Sequence, residues 1–74
     1  MSEKELREKY MAIQESWKLI KKYSKVSDEA AYWTELVREA ETLQKELDND
    51  FATDLIIAAL RELERIGRNK NDRD

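Results

Sequence analysis

The chain lacks cysteine, histidine and proline, and it has a single glycine. Without cysteine there can be no disulfide and no thiolate metal site, and without histidine the commonest metal ligand and general base is missing. The scarcity of glycine and proline removes the residues that most often interrupt helices. These absences argue against an enzyme and against a metal or any other cofactor, and they favour a helical chain.

The size and composition of the chain predict one small helical domain. A core built from 74 residues supplies only about 3–5 kcal/mol of stability, so we expect a partner chain, identical or different. Charged residues make up 42% and hydrophobic residues 41%, a balance typical of helical bundles. The net charge of −3 argues against a general attraction to nucleic acid or to anionic membranes.

The hydrophobic residues are too scattered for a membrane span. No run approaches the ~18 consecutive apolar residues that a spanning helix needs. Three of the first five residues, Met-Ser-Glu-Lys-Glu, are charged, and this segment lacks the apolar stretch of a signal peptide. We therefore expect a cytoplasmic protein with no membrane partner and no small-molecule substrate.

A first helix is predicted over residues 3–23. Ser2 and Glu5 have the spacing of a capping box at its start. Two stripes of residues at helical spacing follow. The first stripe consists of Leu6, Tyr10, Ile13, Trp17 and Ile20, and the second stripe consists of Ala12, Ser16, Leu19 and Tyr23. Two adjoining stripes indicate a helix that contacts two neighbours, and we expect Trp17 to lie in the core.

Two further helices are predicted over residues 28–47 and 51–66. Ser27 is a favourable N-cap for the second helix, whose apolar positions are Trp33, Leu36, Ala40, Leu43 and Leu47. Gly67 is a suitable C-terminal stop for the third helix. The polar segment 68–74 is then a frayed tail, and residues 1–67 form a single helical domain.

These elements predict an all-α fold, most simply a three-helix bundle. One alternative stays open, because no glycine or proline separates the second and third predicted helices. They could form one continuous helix of about 40 residues, roughly 60 Å long. The first helix would cover only half of such a hairpin, which would have to dimerise.

Two acidic patterns suggest metal sites but do not fit them. The run Asp48-Asn49-Asp50 with Asp54 is similar to a calcium loop, yet such loops need Gly at the sixth position and Glu at the twelfth. Here those positions are Thr53 and Ala59. The run is better explained as a helix end followed by an N-cap at Asn49 or Asp50. The paired glutamates within the helices lack the histidines of di-iron bundles.

The third predicted helix carries a candidate contact for another protein. Ile57 projects among charged residues, although the run from Leu55 to Leu60 is apolar around the whole helix. A helix that is apolar on all sides is either central to its fold or part of an interface. We therefore predict that the chain binds a partner, or itself as a homodimer, through Ile57, Ala58 and Arg61.

The alternative function is a small nucleic-acid-associated regulator. Basic residues gather at the ends of the first and third predicted helices, and these ends meet in an up-down-up bundle. The candidate contacts are Lys18, Lys21, Lys22, Lys25, Arg65 and Arg68. Because cations also favour helix C-termini for electrostatic reasons, this clustering is better explained by helix stability.

Three segments carry a resemblance to known proteins. They are Trp17-Lys18-Leu19-Ile20-Lys21-Lys22-Tyr23, the pair Tyr32-Trp33, and the run from Asp54 to Arg65. Over residues 17–65 the chain resembles small uncharacterised helical proteins of prophages and conjugative elements in Gram-positive bacteria. The resemblance implies an accessory protein of a mobile element, and it implies no particular functional residue.

Overall fold

The computed structural model describes residues 1–72, and within them it forms an all-α three-helix bundle. The helices are α1 (Glu3–Lys22), α2 (Ala30–Leu47) and α3 (Asp50–Asp72), and every pair of helices packs together. The bundle is elongated, with principal extents of 49 × 20 × 17 Å. Its up-down-up order makes α1 and α3 parallel, with α2 antiparallel to both.

The break between α2 and α3 excludes the long-hairpin alternative. Asp48 ends α2 in the left-handed conformation, with φ 46° and ψ 50°. Asn49 then caps α3, because its Oδ1 accepts a hydrogen bond from the amide of Ala52 at 2.8 Å. The prediction of a helix end followed by an N-cap is therefore confirmed, and the prediction of one continuous helix is wrong.

The N-terminal caps of α1 and α2 differ in how well the sequence predicted them. The Ser2 hydroxyl accepts from the Glu5 amide at 3.1 Å, as the capping box requires. Ser27, however, does not cap α2. Its hydroxyl accepts from the Glu29 amide at 3.0 Å, which closes a turn before the helix begins at Ala30. Glu29 occupies the cap position without a side-chain hydrogen bond.

Helix α3 does not stop at Gly67, so the predicted boundary at residue 66 is wrong. The helix continues to Asp72, which places most of the predicted frayed segment 68–74 in a helix; residues 73 and 74 lie outside the described residues. Gly67 instead lies where α3 closely approaches Val26 and Trp33. A Cβ there would lie 3.2 Å from Cγ1 of Val26 and 3.5 Å from Cζ2 of Trp33.

The core lies where the three helices meet. Leu36, Ile56 and Leu63 are its largest fully buried side chains. Tyr23 and Val26 close the end at which α1 turns into α2, and the Tyr32 hydroxyl donates a 2.7 Å hydrogen bond to the Tyr23 carbonyl there. The five apolar positions predicted for the second helix, from Trp33 to Leu47, are all buried or half-buried, whereas Val37 of α2 and Ile66 of α3 are exposed. The stripes of α1 behave differently.

Candidate functional site

The first stripe of α1 faces solvent. Leu6, Tyr10, Ile13 and Trp17 are between 56% and 62% exposed, and only Ile20 is half-buried. The second stripe takes the core positions instead, since Ala12, Ser16, Leu19 and Tyr23 are all buried. The prediction that Trp17 lies in the core is therefore wrong.

The size of the side chains explains why the second stripe of α1 is buried and the first stripe is exposed. Ala12 and Ser16 are small, and they lie on the side of α1 that packs against the bundle. Helix α3 presents small residues as well, with Ala52 and Ala59 both buried. Small side chains let two helices approach closely, and the bulkier first stripe would hold them apart.

An open apolar groove runs between α1 and α3, beside the first stripe. We call it the α1–α3 groove. Its volume is about 300 Å³, and its lining residues are Ile13, Ser16, Trp17, Ile20, Leu55, Ala58, Ala59 and Glu62. Glu62 is the only charged residue among them, and its carboxylate is paired with Arg65. The groove and the first stripe form one continuous surface because they share Ile13, Trp17 and Ile20.

The floor of the groove contains an unusual polar atom. Ser16 is 6% exposed, and its buried Oγ has no hydrogen-bond partner among the residues that the structure describes. An unsatisfied buried hydroxyl costs about 1–3 kcal/mol. Ser16 therefore contributes little to stability beyond its small size, which the packing of α1 on α3 requires.

The two rims of this surface carry different charges. On the side of α1 away from α3, helical geometry places Glu3, Arg7 and Lys21 next to the first stripe, and all three are exposed. On the α3 side, the N-terminal turns carry the exposed Asp50 and Asp54. The α1 rim therefore carries both signs of charge, and the lower α3 rim is acidic.

A contact between α1 and α3 shows which residues of the two helices lie at the same height along the bundle axis. The ammonium of Lys9 lies 5.2 Å from the centroid of the Phe51 ring. Since the helices are parallel, the same offset of 42 positions puts Ile13 level with Leu55 and Trp17 level with Ala59. Asp54 is thus near the level of Ala12, and Lys18 is about 9 Å further along the axis.

The three residues that the sequence grouped as a partner contact remain neighbours on the exposed side of α3, at i,i+3 and i,i+4 spacing. Ile57, Ala58 and Arg61 are all exposed. Ala58 lines the α1–α3 groove, but Ile57 is turned about 100° from it around α3. Ile57 therefore lies towards α2, away from the groove. The larger apolar surface, on α1, was missed because its spacing is equally typical of a core stripe.

The six basic residues of the nucleic-acid hypothesis are all exposed, but acidic neighbours compensate several of them. Lys22 is paired with Glu39, Arg65 with Glu62, and Lys18 with Glu15 at 3.6 Å. The hydrogen bond from Lys22 to Glu39, with the negative charge of that carboxylate, raises the pKa of the ammonium. The Lys21 ammonium lies 6.0 Å from the Trp17 ring centroid. These pairings reduce the positive field that a phosphate backbone would meet.

In the part of the chain that the structure describes, no three acidic side chains lie close enough together to hold a metal ion. Burial raises the pKa of both Tyr23 and Tyr32, which is the expected effect of a less polar environment on a phenol. Among the described residues, no helix is both long and apolar enough to cross a membrane.

Comparisons with protein families, with curated proteins and with solved structures found no match to this chain. The chemistry and geometry of its surface therefore carry the functional argument.

Proposed function

We propose that the protein is a non-enzymatic interaction module whose first stripe and α1–α3 groove bind one amphipathic helix of a protein chain. The observation that carries the proposal is the division of α1 into two stripes. The second stripe provides the core contacts, whereas Leu6, Tyr10, Ile13 and Trp17 of the first stripe keep more than half of their surface free of contacts within the monomer.

The size of the apolar surface supports this function. Two half-exposed aromatic rings and two half-exposed aliphatic side chains leave on the order of 500 Å² of apolar area on one face, as much as the largest patch of a typical monomer. The whole chain exposes 5813 Å², whereas a compact monomer of its mass is expected to expose about 4,800 Å². An elongated bundle of 49 × 20 × 17 Å exposes more surface than a compact one of the same mass, and the first stripe is part of that exposed surface.

The shape of the surface favours a helix as the ligand. The first stripe has the alternating four- and three-residue spacing at which helices interdigitate in bundles. It is about 21 Å long from Leu6 to Ile20. A helix lying along it would contact α1 and α3 together, which extends the contact beyond the third helix that the sequence indicated.

The resemblance to helical proteins of prophages and conjugative elements supports a role as a cytoplasmic accessory protein of a mobile element. Within that role, we propose protein binding rather than nucleic-acid binding, because the basic residues are partly neutralised and the apolar surface is not covered.

The test compares two lysine substitutions in exposed apolar residues. Ile13→Lys places a charge in the first stripe, and Ile57→Lys places the same charge on the other side of α3. Binding of each variant and of the wild type is measured against protein partners purified from nuclease-treated cells. Self-association of each chain is measured in parallel. The proposal predicts that Ile13→Lys loses binding and that Ile57→Lys keeps it.

Circular dichroism must show the same helicity for both variants, because both positions are exposed. Equal loss of binding in the two variants would contradict the proposed surface. Loss only in Ile57→Lys would move the contact to the side of α3 that faces α2. Binding that disappears with nuclease, and that weakens steeply with added salt, would favour the nucleic-acid alternative.

A further inference from the structure

We propose that Ser16 sets the register of the bound helix, by hydrogen bonding to a neutral side-chain amide, from a glutamine or an asparagine, within the apolar face of that helix. This inference rests on the proposed function and specifies the chemistry of the partner. The apolar side chains of the first stripe supply contact area, and the Ser16 hydroxyl selects where along the stripe the partner binds.

The first argument is that packing explains the size of Ser16 but not its hydroxyl. The buried small residues where α1 and α3 approach each other include Ala12, Ala52 and Ala59, whose side chains have no polar atom. An alanine at position 16 would allow the same close approach and would favour the helix. It would also leave no unsatisfied hydroxyl. The hydroxyl is therefore unfavourable in the free chain, as is typical of residues that serve a binding site.

The second argument is the position of the hydroxyl under an open groove. Ser16 lies on the floor of the α1–α3 groove, and its Oγ has no hydrogen-bond partner among the described residues. On the α3 side the wall includes Ala58, a small exposed residue. With a volume of about 300 Å³, the groove accommodates one long side chain. A serine hydroxyl moves between staggered positions about a single torsion, so it can turn towards a bound group without movement of the backbone.

The third argument is the kind of group that fits there. An amide both donates and accepts, so it can pair with a hydroxyl in either sense. A charged side chain fits less well, because the lining is apolar apart from Ser16 and Glu62, and burying an unpaired charge is costly. The carboxylate of Glu62 is already paired with Arg65. A serine or threonine would be too short, because Ile13 and Trp17 project into solvent and keep the partner's backbone away from the floor.

A single polar contact is enough to set register in an apolar interface. In coiled coils, one buried polar residue fixes the register at a cost in stability. Sliding the bound helix by one turn, about 5.4 Å, would keep many apolar contacts with the first stripe because its spacing repeats. It would leave the Ser16 hydroxyl and the amide both unpaired in an apolar environment.

The probes for the test are two synthetic amphipathic peptides of about 18 residues, long enough to cover the stripe. Both have leucine at the apolar positions, and they differ only at the central one, which is glutamine in one peptide and leucine in the other. Fluorescence anisotropy of each labelled peptide measures its binding to the wild type, to Ser16→Ala and to Ile13→Lys. Ser24→Ala, at an exposed serine outside the groove, is the matched control.

We expect both peptides to bind the wild type and the Ser24→Ala control with unchanged affinity, and neither peptide to bind Ile13→Lys. Ser16→Ala should weaken the glutamine peptide roughly three- to tenfold, because a hydrogen bond is lost and the amide is left unpaired. The same variant should bind the leucine peptide at least as tightly as the wild type does. Urea denaturation should show that Ser16→Ala is more stable than the wild type, so that its weaker binding is not a consequence of unfolding.

The outcomes distinguish this inference from the proposed function. An equal effect of Ser16→Ala on the two peptides, while Ile13→Lys still abolishes binding, would overturn the role of Ser16 and leave the helix-binding surface in place. If the wild type binds neither peptide, the proposed function fails and this inference fails with it.

Discussion

The two stripes of α1 have similar helical spacing but opposite environments. The second stripe, from Ala12 to Tyr23, is buried in the bundle, whereas the first stripe, from Leu6 to Trp17, is more than half exposed. The buried stripe contains the smaller residues towards the N-terminus, and the exposed stripe contains an aromatic residue in each half. The comparison teaches that one helix can provide monomer stability on one side and a binding surface on the other.

The comparison also extends along the helix. Among residues 1–11, all of which the structure describes, none is buried, whereas Leu19 and Tyr23 belong to the main core. The N-terminal half of α1 therefore contributes little to the free energy of unfolding of the monomer. Its apolar residues gain a role only when another helix covers them.

The largest expected effect separates the two stripes directly. Leu19→Ala should lower the free energy of unfolding by about 2–5 kcal/mol, because it opens a cavity in the core. Ile13→Ala should lower it by less than about 1 kcal/mol, since Ile13 is mostly exposed. Urea denaturation followed by circular dichroism, at a concentration where the chain is monomeric, measures both. Equal losses would mean that the first stripe is packed in the monomer.

The next effect concerns the close approach of α3 to the α1–α2 connection. Gly67→Leu should destabilise the fold by about 1–3 kcal/mol, because the added side chain displaces Val26 and Trp33. Glu64→Leu, one turn earlier on α3 and exposed, is the matched control and should change stability by less than about 0.5 kcal/mol. If both variants unfold at the same urea concentration, Gly67 has no packing role.

A smaller effect, of opposite sign, is expected at the floor of the groove. Ser16→Ala should stabilise the chain by about 1–2 kcal/mol, because it removes an unsatisfied buried hydroxyl and raises helix propensity. Thr42→Ala is the control, since the exposed Thr42 hydroxyl already donates to the Arg38 carbonyl at 3.0 Å. Thr42→Ala should raise the free energy of unfolding only by the difference in helix propensity, about 0.5 kcal/mol. The melting temperatures of the two variants, measured by thermal unfolding, show whether Ser16→Ala gains more stability than Thr42→Ala.

The smallest expected effect is a loss of stability at alkaline pH, at the end of the core where α1 turns into α2. Burial raises the pKa of Tyr23 and Tyr32, and the hydrogen bond to Glu39 raises that of Lys22. The folded chain thus holds these protons more tightly than the unfolded chain. The contribution of these three groups to the free energy of unfolding is complete below about pH 10, and it is lost as the pH rises above that value. Urea denaturation between pH 8 and 12 should show this loss, and Tyr23→Phe should reduce it.

Much of the fold follows from local sequence features. The capping residues Ser2 and Asn49 and the apolar positions of α2 and α3 predicted three helices and most of the core. These features are local because a helix depends on hydrogen bonds and side-chain spacing within a few residues. The basic clusters at the ends of α1 and α3 were likewise visible before the structure.

The candidate site was only partly predictable. Ala58 was identified as a surface residue of α3, and the structure places it in the groove. Trp17 was expected in the core because its spacing matches a buried stripe as well as an exposed one. Gly67 was expected to end a helix because glycine commonly does so, but here it allows Val26 and Trp33 to approach.

The sequence by itself determined that the chain is helical, where two of its three helices begin, and that α1 has two apolar sides. Only the tertiary structure decided which side of α1 is buried. Periodicity defines faces relative to a helix's own axis, whereas burial depends on how closely a neighbouring helix can approach. Small residues on both α1 and α3 allow the closest approach, so the second stripe is buried and the first stripe remains exposed.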